Sequence, residues 1–237
     1  MHFRTVSDAE TILLNDQFQH RELAISAEPG AQALLHARAH KANTAFLKRS
    51  LDIIVSGALL AFLAPGLILI GLLIRLESDG PALFHQKRFG RNGKIFTLMK
   101  FRSMKVQESD GAFVQARIAD PRFTALGRWL RRTSVDELPQ LFNVLMGDMS
   151  LVGPRPHAIA MDQHYARIIP HYSDRLLVRP GLTGLAQISG LRGPTNTYED
   201  ISMRVNRDRA YVRRWSFLLD LKILARTPLA LFGPNAL

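Results

Sequence analysis

Between residues 53 and 74 the chain runs for 22 residues without a charge, IIVSGALLAFLAPGLILIGLLI, and few folds accommodate such a run. As one straight helix it would reach about 33 Å, against a hydrocarbon core of roughly 30 Å. A single spanning helix is the plain reading, but two features point elsewhere. Pro65 and Gly66 fall at the middle of the run, and an interior proline removes a backbone hydrogen bond and kinks or breaks a helix. Basic residues also flank both ends: Arg38, Lys41, Lys48 and Arg49 before it, Arg75, Lys87, Arg88, Arg91 and Lys94 after it. A spanning helix should carry its positive flank on one side. A segment that enters, turns at Pro65 and leaves on the same side satisfies both observations, because each half is too short to span. Three forms stay open at this point: the re-entrant helix, a kinked spanning helix, and a buried helix of a soluble core.

The remainder is globular in composition. Hydrophobic residues make up 47% of the 237, and mean hydropathy is +0.00. That excludes disorder throughout and argues against a multi-span protein. The absence of cysteine excludes a disulfide framework and a cysteine-ligated metal site. The net charge is +11, and its placement is informative. Residues 1–52 hold six Lys and Arg against six Asp and Glu, while residues 75–237 hold 25 against 14. The whole surplus therefore follows the apolar run and calls for an anionic partner: nucleic acid, anionic lipid or a phosphorylated substrate. Residues 1–45, with weak periodicity and a break at Pro29 and Gly30, read as a loosely ordered leader without a signal peptide.

Local signals suggest an α+β fold, predominantly helical, with a small hairpin. Asn92 and Gly93 favour a two-residue type I′ turn. That turn would put Lys100 and Arg102 on one strand face, with His85 and Lys87 across the ladder. Asp120 and Pro121 look like a helix start, and residues 198–232 look like one last helix, Arg-rich and then apolar. That amphipathic stretch can lie in a membrane interface or pack on the core.

Chemistry concentrates in TSVDELPQLFNVLMGDMSLVGPRP, residues 133–156. Asp136 and Glu137 lie at or just before a helix N-terminus, where the helix dipole favours negative charge. Two acids there need a divalent cation or nearby Arg and Lys. The bland alternative is a capping box, Glu137 reaching back to the Ser134 N–H. Downstream, Pro154 and Pro156 clamp Arg155. They present a planar fork suited to phosphate at low entropy cost.

Seven pieces in order carry a family resemblance: Lys48, Arg49 and Asp52; central Pro65; QKRFG at 86–90; KFRSM at 100–104; SVDELPQL at 134–141; GDMSLVGPRP at 147–156; and RPGLTGLAQ at 179–187. From about residue 44 to 226 the chain resembles the bacterial sugar transferases, the monotopic polyprenyl-phosphate phosphoglycosyl transferases, in the short form without an N-terminal transmembrane bundle. The resemblance implies transfer of a sugar 1-phosphate from a UDP-sugar to undecaprenyl phosphate with release of UMP, the first membrane step of exopolysaccharide or another glycoconjugate. It implies a re-entrant helix over residues 46–76 and a cytosolic domain over 77–232, on the inner membrane with both termini cytoplasmic. It further implies Mg2+ held by Asp136 and Glu137, with Asp136 as nucleophile. Lys100 and Arg155 match positions near the phosphates, and Arg131 a position implicated in the lipid phosphate. Arg102 joins them through its expected face, and Asp208, Gln187 and Arg88 are supporting residues. The QISGLRG segment resembles the hexose-using branch, glucose or galactose. Partners are then the UDP-sugar, undecaprenyl phosphate and membrane lipids, with a homo-oligomer open and no nucleic acid. The competing class is a membrane-anchored nucleic-acid-binding protein, which the charge would serve. No aromatic residues interleave with the basic ones as stacking platforms.

Overall fold

The computed structural model describes residues 2–4, 29–105, 112–114, 120–191 and 197–231. These are mostly helical, with three two-stranded sheets. Strand β1 (His2–Arg4) pairs antiparallel with β4 (Ala112–Val114). The rest of the expected leader up to residue 28 lies outside the described residues. Its last part is not loose: helix α1 spans Pro29–Thr44. The supposed break is a start, since proline suits the first helical turn. Leu35, Ala39 and Ala42, on one face, are buried in the main core.

Helix α2 (Phe46–Glu77) contains the apolar run and Pro65 without interruption. The expected helix-break-helix is thus a single helix. Proline withholds one donor, but its φ suits a helix, so the helical backbone continues through it. Lys48, Asp52, Ser56 and Leu60 form a buried stripe that Leu67 and Ile74 extend on the same face. The other faces are open: Phe62 is 81% and Leu76 83% exposed. That exposure excludes a buried helix of a soluble core.

Both ends of α2 are fastened to the same globular body. At the first, Lys48 Nζ donates to Val152 O at 2.9 Å and Asp220 Oδ2 at 2.8 Å. Asp52 Oδ1 accepts from Ser150 Oγ at 3.0 Å and the Leu151 N–H at 2.9 Å. Arg49 donates to Val144 O at 2.7 Å and Leu145 O at 2.8 Å, the carbonyls that end helix α4 (Gln140–Met146). At the other end, Arg102 donates to Ile74 O at 3.1 Å, to Ser78 O at 2.6 Å and to Asp79 O. A guanidinium there satisfies orphan carbonyls and opposes the negative helix end.

The hairpin pairs β2 (Leu83–Phe89) with β3 (Ile95–Phe101), Phe89 opposite Ile95. The connection is a three-residue 3₁₀ turn, Arg91–Gly93, closed by Gly90 N–H donating to Lys94 O at 2.7 Å. The expected two-residue turn is one residue too short, and a one-residue slip moves every side chain to the other face. Lys100 therefore stands opposite Phe84, in line with Gln86 and Arg88, while His85 and Lys87 take the far face.

Helix α3 (Ala125–Thr133) starts four residues later than Asp120 and Pro121 suggest, because Asp120 Oδ1 accepts from the Arg122 N–H at 3.0 Å and closes a local turn instead. Thr124 is the cap, its Oγ1 accepting from Gly127 N–H at 2.9 Å. Gly127 is required there: a Cβ would overlap the Ser103 carbonyl. Strand β5 (Ser150–Val152) pairs in parallel with β6 (Gly181–Thr183). Helix α5 (Ile159–Ile168) follows β5, and α6 (Leu185–Ile188) follows β6. The expected last helix is two, α7 (Tyr198–Arg214) and α8 (Phe217–Leu231). They part at Trp215, whose Nε1 donates to Asp220 Oδ2 at 3.1 Å. Leu218, Leu221 and Leu229 of α8 are exposed.

Candidate active site

Asp136 and Glu137 sit on a 3₁₀ turn, Val135–Glu137, between α3 and α4. Ser134 before it is left-handed, at φ 59° and ψ 16°, and makes no side-chain cap. Such a conformation is uncommon outside glycine, and it turns the chain sharply so that the two acids face the sheet. The capping box does not form, because the Glu137 carboxylate is taken by Arg155. Nη1 donates to Oε2 at 2.8 Å and Nη2 to Oε1, a two-point fork.

Two features hold the turn against the hairpin. Val135 packs with Ile74, Phe101 and Leu130, so the turn abuts the second end of α2. Asn143 of α4, fully buried, donates to Thr97 O at 2.8 Å and accepts from Met99 N–H at 3.0 Å. Its amide completes the free edge of β3, one residue from Lys100.

Three cations surround the Asp136 carboxylate. Lys100 comes from β3, its Nζ 5.1 Å from the Phe84 ring. Arg131 comes from the last turn of α3, stacked 4.8 Å over Phe123. Arg155 comes from the loop after β5. Burial, and next the charge of Glu137, raise the Asp136 carboxyl to about 6, against the pull of these three cations. Burial lowers Lys100 to about 8, with Arg88 and Arg131 adding repulsion. Arg155 is raised, chiefly by Glu137.

The loop bearing Arg155 is rigid for reasons beyond its two prolines. Gly153 and Gly181 cross so closely that a Cβ on Gly181 would overlap the Gly153 amide. Gly153 N–H donates to Thr183 O at 2.9 Å, and Gly181 N–H to Pro154 O at 2.8 Å. The GPRP and RPGLTG motifs are the two halves of this crossing.

An ionised carboxylate ringed by cations, with no hydrogen-bonded counter-ion among the described residues, suits nucleophilic attack on a phosphoryl group. Among the described residues no group of three His, Asp or Glu is placed to hold a metal. A divalent cation would draw on Asp136 and Glu137 and complete its shell from substrate oxygens and water, the pattern magnesium accepts. The pair has the carboxylate oxygens such an ion takes, those of Glu137 being held by Arg155 in this structure.

Residues 43–234 match the model of a family described as bacterial sugar transferase. The chain belongs to that family. The transferase is 52% identical over 190 residues to UDP-glucose:undecaprenyl-phosphate glucose-1-phosphate transferase of Caulobacter vibrioides, covering 80% of this chain and 71% of that protein. The protein of the same name from Escherichia coli strain K12 is 49% identical over 181 residues, covering 76% of this chain and 39% of the relative. Exopolysaccharide production protein PSS of Rhizobium leguminosarum bv. phaseoli is 48% identical over 185 residues, 76% of this chain and 92% of the relative.

In the transferase, Asp136, Glu137, Lys100, Arg131 and Arg155 converge, and Arg88 lies beside Arg155. Arg88 donates to Gln86 Oε1, reaches Pro156 O at 3.4 Å and feels the charge of Arg155. Arg102 does not join them; its guanidinium is consumed by the end of α2, since the chain leaves the strand after Phe101. Gln187 is buried at the Gly153 crossing, its Nε2 3.4 Å from Leu182 O. Asp208 is one shell back, accepting from Arg175 Nε at 3.1 Å.

Arg175 is the residue the sequence did not flag. Fully buried, it also donates to Asp162 Oδ1 at 3.1 Å and to the Arg155 carbonyl, and contacts His157 Nδ1 at 2.9 Å. Burial, and then Arg175, hold His157 well below its usual range, so it stays neutral. Tyr172 ties the set together, donating to Asp162 Oδ1 at 2.7 Å. This network braces the backbone at Arg155.

Proposed function

We propose that the transferase moves a sugar 1-phosphate from a UDP-sugar to undecaprenyl phosphate, releasing UMP, at the cytoplasmic face of the bacterial inner membrane. The observation that carries this reading is Asp136, a buried carboxylate among Lys100, Arg131 and Arg155, two residues from the left-handed Ser134 and one from the packing contact with α2. Ionised, it attacks the sugar-bearing phosphorus of the donor. The phosphoanhydride bond breaks, UMP leaves with the bond's electron pair, and an aspartyl phosphosugar forms. The lipid phosphate oxygen then attacks the same phosphorus and Asp136 is released. Lys100 and Arg155 neutralise charge spreading over the phosphoryl oxygens, and Arg131 meets the lipid phosphate. Magnesium on Asp136 and Glu137 would supply further neutralisation of the diphosphate. The relatives' names support glucose as the sugar, although an Aeromonas hydrophila relative 38% identical is named for N-acetylgalactosamine.

Helix α2, fastened at both ends to one body and apolar on its outer faces, enters and leaves the bilayer on one side in this reading. Its second end adjoins the Asp136 turn, so the isoprenoid phosphate reaches the site without leaving the membrane surface.

The test is UMP release by detergent-purified protein given undecaprenyl phosphate, magnesium and UDP-glucose, UDP-galactose or UDP-N-acetylgalactosamine in turn. Release is expected with UDP-glucose and is expected to vanish in Asp136→Asn, which stays membrane-bound. Turnover by Asp136→Asn near the wild-type rate would refute the nucleophile.

A further inference from the structure

The fork between Arg155 and Glu137 occupies the two groups that the reaction most needs apart. Arg155 must meet a phosphate, and Glu137 must offer oxygens beside Asp136. Each side chain is partly open, at 29% and 17% exposure, so an anion can reach the pair from solvent. The Arg155 backbone cannot retreat: two prolines, the Gly153 crossing and Arg175 all fix it. Arg88 stands beside it as a second cation, with a buried Nε that has no hydrogen-bond partner among the described residues. A phosphate group, like a carboxylate, presents two oxygens that a guanidinium fork can hold at once.

We infer that Glu137 is a placeholder on Arg155, displaced when the donor diphosphate binds between Arg155 and Arg88. In the free protein the carboxylate keeps the fork satisfied. Donor binding moves the fork to phosphate and releases Glu137 next to Asp136, where it becomes available to a divalent cation or as a base. Glu137 thus opposes donor binding in the absence of metal, and donor and metal favour one another. Two sites linked in this way must change each other's affinity by the same factor. The inference rests on the donor reading above and deepens it.

The decisive measurement needs no metal and no turnover. UDP is titrated by calorimetry into the full chain in detergent with EDTA present, comparing wild type with Glu137→Gln and Arg155→Gln. Without a competing carboxylate, Glu137→Gln should bind metal-free UDP more tightly than wild type, by about tenfold. Arg155→Gln should bind it more weakly. Unfolding midpoints identify variants that keep the fold, and Arg155→Lys, charged but unable to form a fork, provides a second route to a weakened placeholder. Manganese binding without nucleotide, read by electron paramagnetic resonance, should strengthen in Arg155→Lys because Glu137 is released. Equal or weaker UDP binding by a folded Glu137→Gln overturns the placeholder while leaving the donor assignment intact. A wild-type protein that fails to bind UDP even with magnesium overturns both.

Discussion

Arg102 separates two accounts of this chain. On the strand face expected from sequence it would grip substrate phosphate; in the structure it closes the end of α2. Replacing it with Gln removes a 5% exposed cation that serves three carbonyls, those of Ile74, Ser78 and Asp79. Hydrogen bonds from a charged donor are worth about 1.5–3 kcal/mol each, and opposing the helix dipole adds about 0.3–1 kcal/mol. Glutamine and entering water recover part of this. The net loss is about 3–5 kcal/mol, the range for removing one partner from a buried ionic contact. For a chain of this size each kcal/mol shifts the midpoint by about 2–4 °C, so the unfolding midpoint in detergent should fall by about 6–20 °C. Arg102→Lys should fall less, since an ammonium keeps the charge but cannot span three carbonyls. At 20 °C the surviving folded enzyme should keep its KM for UDP-glucose. An unchanged midpoint with KM raised about tenfold or more, a loss of about 1.4 kcal/mol in binding, would refute the capping role and restore the phosphate contact.

Turnover should be bell-shaped in pH. Asp136 reacts as the carboxylate, so the rate falls as pH drops through about 6. Lys100 acts as the cation, so it falls again as pH rises through about 8; a flat profile from about pH 5 to 9 would contradict both roles. Gly181→Ala should cost about 1–3 kcal/mol of stability through overpacking and lower kcat by shifting Arg155, measured by melting and UMP release; normal values of both would mean the crossing tolerates a Cβ. Single cysteines placed at exposed Lys41 and Arg91, on either side of α2, should both resist an impermeant maleimide in spheroplasts and react once the membrane is opened. Labelling of one from outside would establish a spanning helix.

The site was more legible than the fold around it. Asp136, Glu137 and Arg155 lie within one continuous stretch, where sequence motif and spatial neighbourhood nearly coincide. Lys100 was placed on the right strand but beside the wrong neighbours, because an Asn-Gly pair does not specify loop length. Taking Arg91 into the loop brought Arg88 instead of Lys87 to the Lys100 face. Arg102 falls off the expected strand face because alternation stops where the strand does. Helix α1 carried its own signal in Pro29, legible as a start as readily as a break. The Arg175 network had no local signature. His157, Asp162, Tyr172, Arg175 and Asp208 are spread over some fifty residues, and only folding brings them together.

The way α2 is attached bears on how such an enzyme can be altered. Lys48 is the ammonium that offsets Asp220, Asp52 satisfies the Ser150 hydroxyl and the Leu151 amide, and Leu60 belongs to the same core as Val144 and Leu151. Cutting the chain after Glu77 would leave a buried aspartate without its cation and would open the interior along one side. A water-soluble catalyst cannot be obtained by trimming. It would have to be made by repainting Phe62, Leu76 and their exposed neighbours with polar side chains while leaving the inward stripe untouched.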